Sequence, residues 1–444
     1  MAPERTTHIG KQLVGTAVLW QDRNEEVEEI AVGYWELFTD LLLVAAASSI
    51  ADNFIQSQNW QGFLEFTILY AIMVNGWLLY THHYTSRFEE TSLLHSFVLL
   101  FFLLGMAASI VNARFETARG FSLALILQNL AYLSMIVPIG IYIPKARAFC
   151  TVLTAIVTVA VLCFVAAAIF PDWALFAWGL AALLHHFMEL WLPYFLPGNK
   201  LIPTNMEHTK DRLGVIVLVM LGEAVISSTT TVREFAADSS IQDNRYYLVL
   251  ALSFLLIFMF MLLYFNMQPA PRDHALRRSK RIGSIHFVLN KTLGLSLLSI
   301  GVSIKLAIEA VSVGEDMSSF AGRLLGLAVG SSMVILFAMR LCHYGGKLPR
   351  ASDPPSIREL MWIWWLMFGG ASIIPYFCLH VTNPVVALGM YSGLLMTLCI
   401  VESWISEIQD FQQGFLTENE ETAPLHEDRA SYDNASNPNA VGVK

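Results

Sequence analysis

Apolar residues run along this chain from Tyr34 to Ile405 in long blocks, with no alternation of polar and apolar positions. About 20 helical residues span a hydrocarbon core about 30 Å thick. By that measure the blocks near 34–54, 63–83, 92–112, 120–140, 148–170, 173–195, 211–231, 246–266, 284–309, 322–342, 357–380 and 384–405 predict twelve transmembrane helices. Solid apolar runs fit helices; the strands of a barrel would alternate lipid-facing with lumen-facing positions. The expected fold is an all-α integral membrane protein, with an N-terminal tail (1–33), six-helix halves at 34–195 and 196–405, and a C-terminal tail (406–444).

The halves share short matches. Leu78-Leu79-Tyr80 and Leu262-Leu263-Tyr264 close the second and eighth blocks, and each is followed by a His early in the next block, His95 or His286. Met188-Glu189-Leu190-Trp191 and Val401-Glu402-Ser403-Trp404 stand near the ends of the sixth and twelfth. Two six-span units in parallel orientation are expected, an arrangement found in transporters.

Composition sharpens this. With 55 % apolar and 14 % charged residues and a mean hydropathy of +0.54, the 444 residues exclude a soluble globular protein. The net charge of −9 sits in the tails: three cations against six acids before position 33, and two against eight after position 405. Both tails read as solvated and disordered, and the chain has no basic patch for nucleic acid. Fifteen Lys and Arg flank the even-numbered loops, Arg87 and Arg277-Arg278-Ser279-Lys280-Arg281 among them, against five on the odd-numbered loops. Even loops, and with them both termini, are therefore expected in the cytoplasm. The five cysteines lack paired spacing and read as reduced packing residues.

Ionisable residues inside the blocks are the candidate chemistry, because insertion scales charge about 2.5–3.5 kcal/mol for each. Glu36 and Asp40, four residues apart, share one helical face. Glu223 stands twelve residues beyond Asp211, roughly 18 Å deeper along a helix. These four carboxylates are candidates for ion coupling or substrate binding. His185 and Glu189, also four apart, share a face and with His286, Lys291 and Glu402 are proton-relay candidates. Asp40, His185, Glu189, Lys291 and Glu402 all count into the cytoplasmic half, where a water-filled vestibule would hold them together. The His82-His83 pair reads as interfacial and solvated, and Trp362, Trp364 and Trp365 as an interfacial belt. No phosphate loop, zinc spacing or nucleophile elbow is present, so no catalytic residue, cofactor or metal is expected.

Glu36-Leu37-Phe38-Thr39-Asp40-Leu41-Leu42-Leu43-Val44 resembles the E-L-F-F-D-L-V-F-V opening of the low temperature requirement A family, polytopic membrane proteins of bacteria and fungi. His208-Thr209-Lys210-Asp211-Arg212-Leu213-Gly214, with Leu221-Gly222-Glu223 after it, is similar to that family's H-x-x-E-R-F-G and L-G-E signatures. Arg87-Phe88 resembles its N-R-F element, with Ser86 where Asn is usual. Departures are Thr39 for Phe, Asp211 for Glu and Leu213 for Phe. The resemblance marks Arg87, His208, Arg212 and Gly222 as structural or orienting positions and implies a membrane protein named for a growth phenotype. Phe38-Thr39-Asp40 is also similar, over three residues, to the F-S-D motif opening each repeat of the endolysosomal potassium channels.

The leading expectation is an ion-coupled, specifically proton-coupled, secondary transporter or permease for a small ion or molecule, with Asp40 and Glu223 as symmetry-related carboxylates. Alternatives are a cation channel, a membrane enzyme with histidine-bound metal or haem, and an assembly or stress factor without transport. Beyond the lipid bilayer no partner is specified, and the oligomeric state is left open.

Overall fold

The structure is a computed structural model and describes residues 17–19, 33–89, 92–196, 202, 204–237, 245–269, 274–343 and 355–422. Of the tails expected at 1–33 and 406–444, residues 1–16, 20–32 and 423–444 lie outside the described residues. The first half comprises α1 (Tyr34–Gln56), α2 (Trp60–Leu78), α3 (Leu93–Val111), α4 (Ala118–Tyr142), α5 (Arg147–Ile169), α6 (Ala174–His186) and α7 (Met188–Phe195). The second comprises α8 (Met206–Ala237), α9 (Arg245–Asn266), the one-turn α10 (Ala275–Arg278), α11 (Lys280–Ser312), α12 (Ser319–Cys342), α13 (Pro355–Phe377) and α14 (Pro384–Thr422). Val18–Leu19 and Phe88–Glu89 add a two-residue antiparallel pair. The fold is all-α and multi-pass, as expected.

Among the described residues eleven helices are long and apolar enough to cross a membrane. The sixth predicted span is the exception: it divides at Phe187 into helices of 13 and 8 residues, each too short alone for a 30 Å core. The break also overturns the shared face assigned to His185 and Glu189, since a spacing of four aligns side chains only within one continuous helix. At the other end of the chain α14 runs through Thr422, into the segment expected to be a disordered tail.

Local signals explain several starts. Asn59 and Ser92 cap α2 and α3 by accepting from the N–H groups of Gly62 (2.8 Å) and His95 (3.2 Å), and Ser279 caps α11 through Ile282 (3.2 Å). Glu36 reaches back to the Gly33 N–H at 3.2 Å, satisfying an orphan donor at the start of α1. Helix α2 ends in a π-helical turn, Leu79–Tyr84, all six residues of which are buried, His82 and His83 included.

Helix α11 is the central element. Of its apolar window 78 % is buried, against 28 % for α5, and it packs along α8 and α12 while also meeting α1, α2, α7, α9 and α14. Tyr70 of α2 donates to the Lys291 carbonyl of α11 at 2.7 Å, and Asn290 of α11 donates to the Tyr264 hydroxyl at 2.8 Å. Tyr80, which matches Tyr264 in sequence, instead stacks on Tyr84. Outward rows such as Leu100, Phe101, Phe176, Leu218, Phe258 and Leu366 remain exposed, as lipid-facing surfaces require.

Candidate functional site

The break in the sixth block opens the polar centre. Between α6 and α7 the backbone leaves the helical ladder, and Lys291 of α11 donates to the freed His186 carbonyl at 2.5 Å. The same ammonium donates to Glu189 Oε2 at 2.9 Å and to Asn75 Oδ1 of α2 at 3.2 Å. Lys291 is fully buried, and a charge so placed persists only with partners of this kind. His83 Nε2, from the π-helical turn, lies 3.4 Å from the second Glu189 oxygen. His82 and His83 are thus buried, at 5 % and 1 % exposure, contrary to the interfacial and solvated reading. Every residue of that turn, Leu79–Tyr84, is buried, which no local periodicity reveals.

Arg87 seals the other end of that turn. It is 4 % exposed, donates through Nη1 to the carbonyls of His82 (3.0 Å) and His83 (3.3 Å), and rests on the Phe149 ring 4.6 Å from its centroid. Burial pulls its pKa down to about 10, leaving it charged at neutral pH. A cavity of about 280 Å³ opens here, lined by His82, His83, Arg87, Glu189, Leu192 and Phe287 among others.

A second set joins α1 to α8. Arg212 donates to both Asp40 oxygens, at 3.0 and 3.3 Å, and Trp77 Nε1 donates to Oδ1 at 2.9 Å. One turn away Glu36 accepts from His208 Nε2 at 3.0 Å, with both residues buried. The family-signature residues Glu36, Asp40, His208 and Arg212 therefore form a clamp between two helices, while Asp211 points into the open and joins neither pair.

Glu223 stands apart from both sets. It is 3 % exposed with Oε2 unpartnered, beside Ser48 and near Asp52, whose carboxylate accepts from Lys305 at 2.8 Å. Beside it α8 and α11 approach closely at Ala224 and Gly301, where a Cβ on the glycine would lie 2.9 Å from that of Ala224. A Cβ at Gly222 would meet nothing within 4 Å, so close packing does not explain that signature glycine.

Glu402 meets α12 and α13 rather than the vestibule: it accepts from Trp364 Nε1, and Arg340 Nη2 lies 3.6 Å away. Trp364 is 1 % exposed, which removes it from the expected interfacial belt; Trp362 remains exposed. His185 is buried with Nε2 unpartnered, and no hydrogen bond joins it to Glu189.

His286 belongs to a buried cluster with His274 and His343, ring centroids 4.8–5.1 Å apart. One nitrogen of each lies within 4.8 Å of the others, spacing that a metal ion could draw together. His343 Nδ1, however, accepts the Ala275 N–H at 3.0 Å, and His274 Nδ1 accepts the Leu276 N–H at 3.3 Å. Those bonds place the protons of both neutral rings on Nε2, so neither turns a lone pair to a shared ion unless a backbone bond breaks. Burial, with Lys210 and Arg277 nearby, lowers the pKa of His274 to about 4; burial, the neighbouring histidines and Arg340 lower His343 to about 2. His274 and His343 were invisible as a pair in sequence because the contact that joins their segments, Ala275 to His343, spans 68 residues.

No curated protein and no solved structure matches the chain. The family model described as Bacterial low temperature requirement A protein (LtrA) matches residues 31–401, which takes in the Glu36–Asp40 opening, the His208–Arg212 segment and Glu223. This chain, a multi-pass helical membrane protein, belongs to the LtrA family.

Proposed function

We propose that the chain is a proton-coupled secondary transporter or permease and not an enzyme, with the vestibule open to the cytoplasm on the side of the basic loops and both termini on that side. The observation that carries this reading is the interrupted sixth block, whose freed carbonyl and adjacent Glu189 are both held by Lys291 at the centre of the bundle. Irregular backbone at membrane depth survives only where protein or a water-filled cavity satisfies it, and broken helices of this kind form substrate and ion sites in transporters.

Two separated groups of ionisable residues suit alternating access. Glu189, Lys291 and His83 form the group beside the vestibule. Glu223, Asp52 and Lys305 form the other, on α8, α1 and α11, so that α11 carries a member of each group. Asp40 and Glu223 are unlike each other, the first ion-paired and the second not, so we assign coupling to Glu223 and structural clamping to Asp40. On the two-repeat reading Glu189 and Glu402 are counterparts, the first beside the buried Lys291 and the second beside the half-buried Arg340.

A cation channel is the second reading, favoured by the Glu223 carboxylate inside the bundle, one oxygen of which has no partner. Proton flux into proteoliposomes carrying a pH-sensitive dye, under an imposed potential, separates the cases. Wild-type flux abolished by Glu223→Gln supports coupling through this residue, whereas an unchanged rate removes it from the mechanism. Unitary currents far above transporter turnover would favour the channel.

A further inference from the structure

We infer that the pocket beside the helix break recognises a small organic carboxylate, a substrate class that rests on the transport reading and extends it. The pocket pairs a basic end with apolar walls. His82, His83 and Arg87 line one end, exposed Lys280 stands at the rim, and Leu192 and Phe287 lie on the walls.

Arg87 is the informative residue. All its hydrogen bonds leave from Nη1, its Nε has no partner, and no carboxylate lies within ion-pairing distance of it among the described residues. A buried guanidinium with no carboxylate in direct contact is costly, Glu189 acting on it only from beyond ion-pairing distance, and the group that best complements a guanidinium is a planar carboxylate. The Nδ1 atoms of His82 and His83, in the same lining, are buried and unpartnered. The single acid of the lining, Glu189, is already neutralised by Lys291 at 2.9 Å, so the pocket keeps a positive excess. Helix α7 adds the positive end of its dipole through its first turn, where Glu189 stands. An inorganic oxyanion would satisfy the basic end and leave the apolar walls wet; an organic carboxylate covers both.

The test is equilibrium binding to the purified full-length chain in detergent, by titration calorimetry with sodium pyruvate and sodium succinate. Inorganic phosphate and tetraethylammonium chloride run alongside. Saturable carboxylate binding is expected, weakened about tenfold or more by Arg87→Gln and about threefold by Lys280→Gln. Lys280 is exposed, so its variant folds and keeps the test decisive if Arg87→Gln does not. Absence of saturable carboxylate binding, equal affinity in the folded variants, or saturation by phosphate alone would overturn the inference. Because no gradient is needed, a failure of proton flux would sink the transport reading while leaving this binding result standing.

Discussion

Lys291 Nζ sits 2.9 Å from Glu189 Oε2 and 2.5 Å from the His186 carbonyl, so one buried ammonium answers both a carboxylate and an open stretch of backbone. Removing either member of such a pair leaves an uncompensated charge and costs about 3–5 kcal/mol. Lys291→Met should therefore lower the melting temperature more than Glu189→Gln, because it also strips the carbonyl. The double variant should recover part of the loss, measured as thermal unfolding of the four proteins in one detergent. Equal losses in the two single variants would mean that the carbonyl contact contributes nothing.

Arg212 and Asp40 join α8 to α1 with side chains 2 % and 14 % exposed, and the contact uses both carboxylate oxygens. Both bonds leave the one nitrogen Nη1, and lysine would have to bring its more strongly hydrated ammonium to the same buried spot on a different stem. Arg212→Lys should destabilise by about 1–3 kcal/mol and Asp40→Asn by about 3 kcal/mol, since the second leaves the guanidinium unpaired. Limited proteolysis in detergent would reveal it as faster cleavage, and wild-type resistance in Asp40→Asn would show that the ion pair is dispensable.

The His274–His286–His343 cluster predicts a pH response. His274 is held at about 4 and His343 at about 2, both below the ordinary value of 6.5, so the folded state favours their neutral forms. The unfolded chain binds more protons as pH falls, and the stability held by these rings is lost progressively below about 6.5. The nearby Lys210, Arg277 and Arg340 are cations that oppose protonation, and Arg278 donates to the His343 carbonyl at 3.4 Å. Hydrogen exchange at 274–280 and 340–343 should rise between pH 7 and 5, corresponding to about 1–2 kcal/mol. His343→Gln should flatten that rise; an identical pH profile in the variant would exclude the cluster as its source.

Two glycines predict opposite outcomes. A Cβ at Gly301 would lie 2.9 Å from Ala224 Cβ and 3.1 Å from its Cα, so Gly301→Ala must push α11 from α8 and should cost about 1–3 kcal/mol. Gly222→Ala meets open space and should leave the melting temperature unchanged or slightly raised, as alanine favours helix. Should Gly222→Ala nonetheless abolish flux in a folded protein, its signature role lies in motion or in hydration near Glu223.

What the sequence determined by itself is set by burial in lipid: length and hydropathy located every long helix, and the cost of a charge inside a membrane singled out Glu36, Asp40, Glu189, Glu223, Lys291 and Glu402, which lie buried or in ion pairs, along with Asp211, which is exposed. The family signatures were equally local, being short strings on α1 and α8. Tertiary structure alone decided who meets whom. Lys291 finds Glu189 across 102 residues and Arg212 finds Asp40 across 172, separations over which helical periodicity carries no information. The break at Phe187 and the π-helical turn at Leu79–Tyr84 were also beyond reach, because an apolar string reads the same whether its helix continues or not. Only a neighbouring helix able to satisfy the freed carbonyl, here through Lys291, makes the interruption stable.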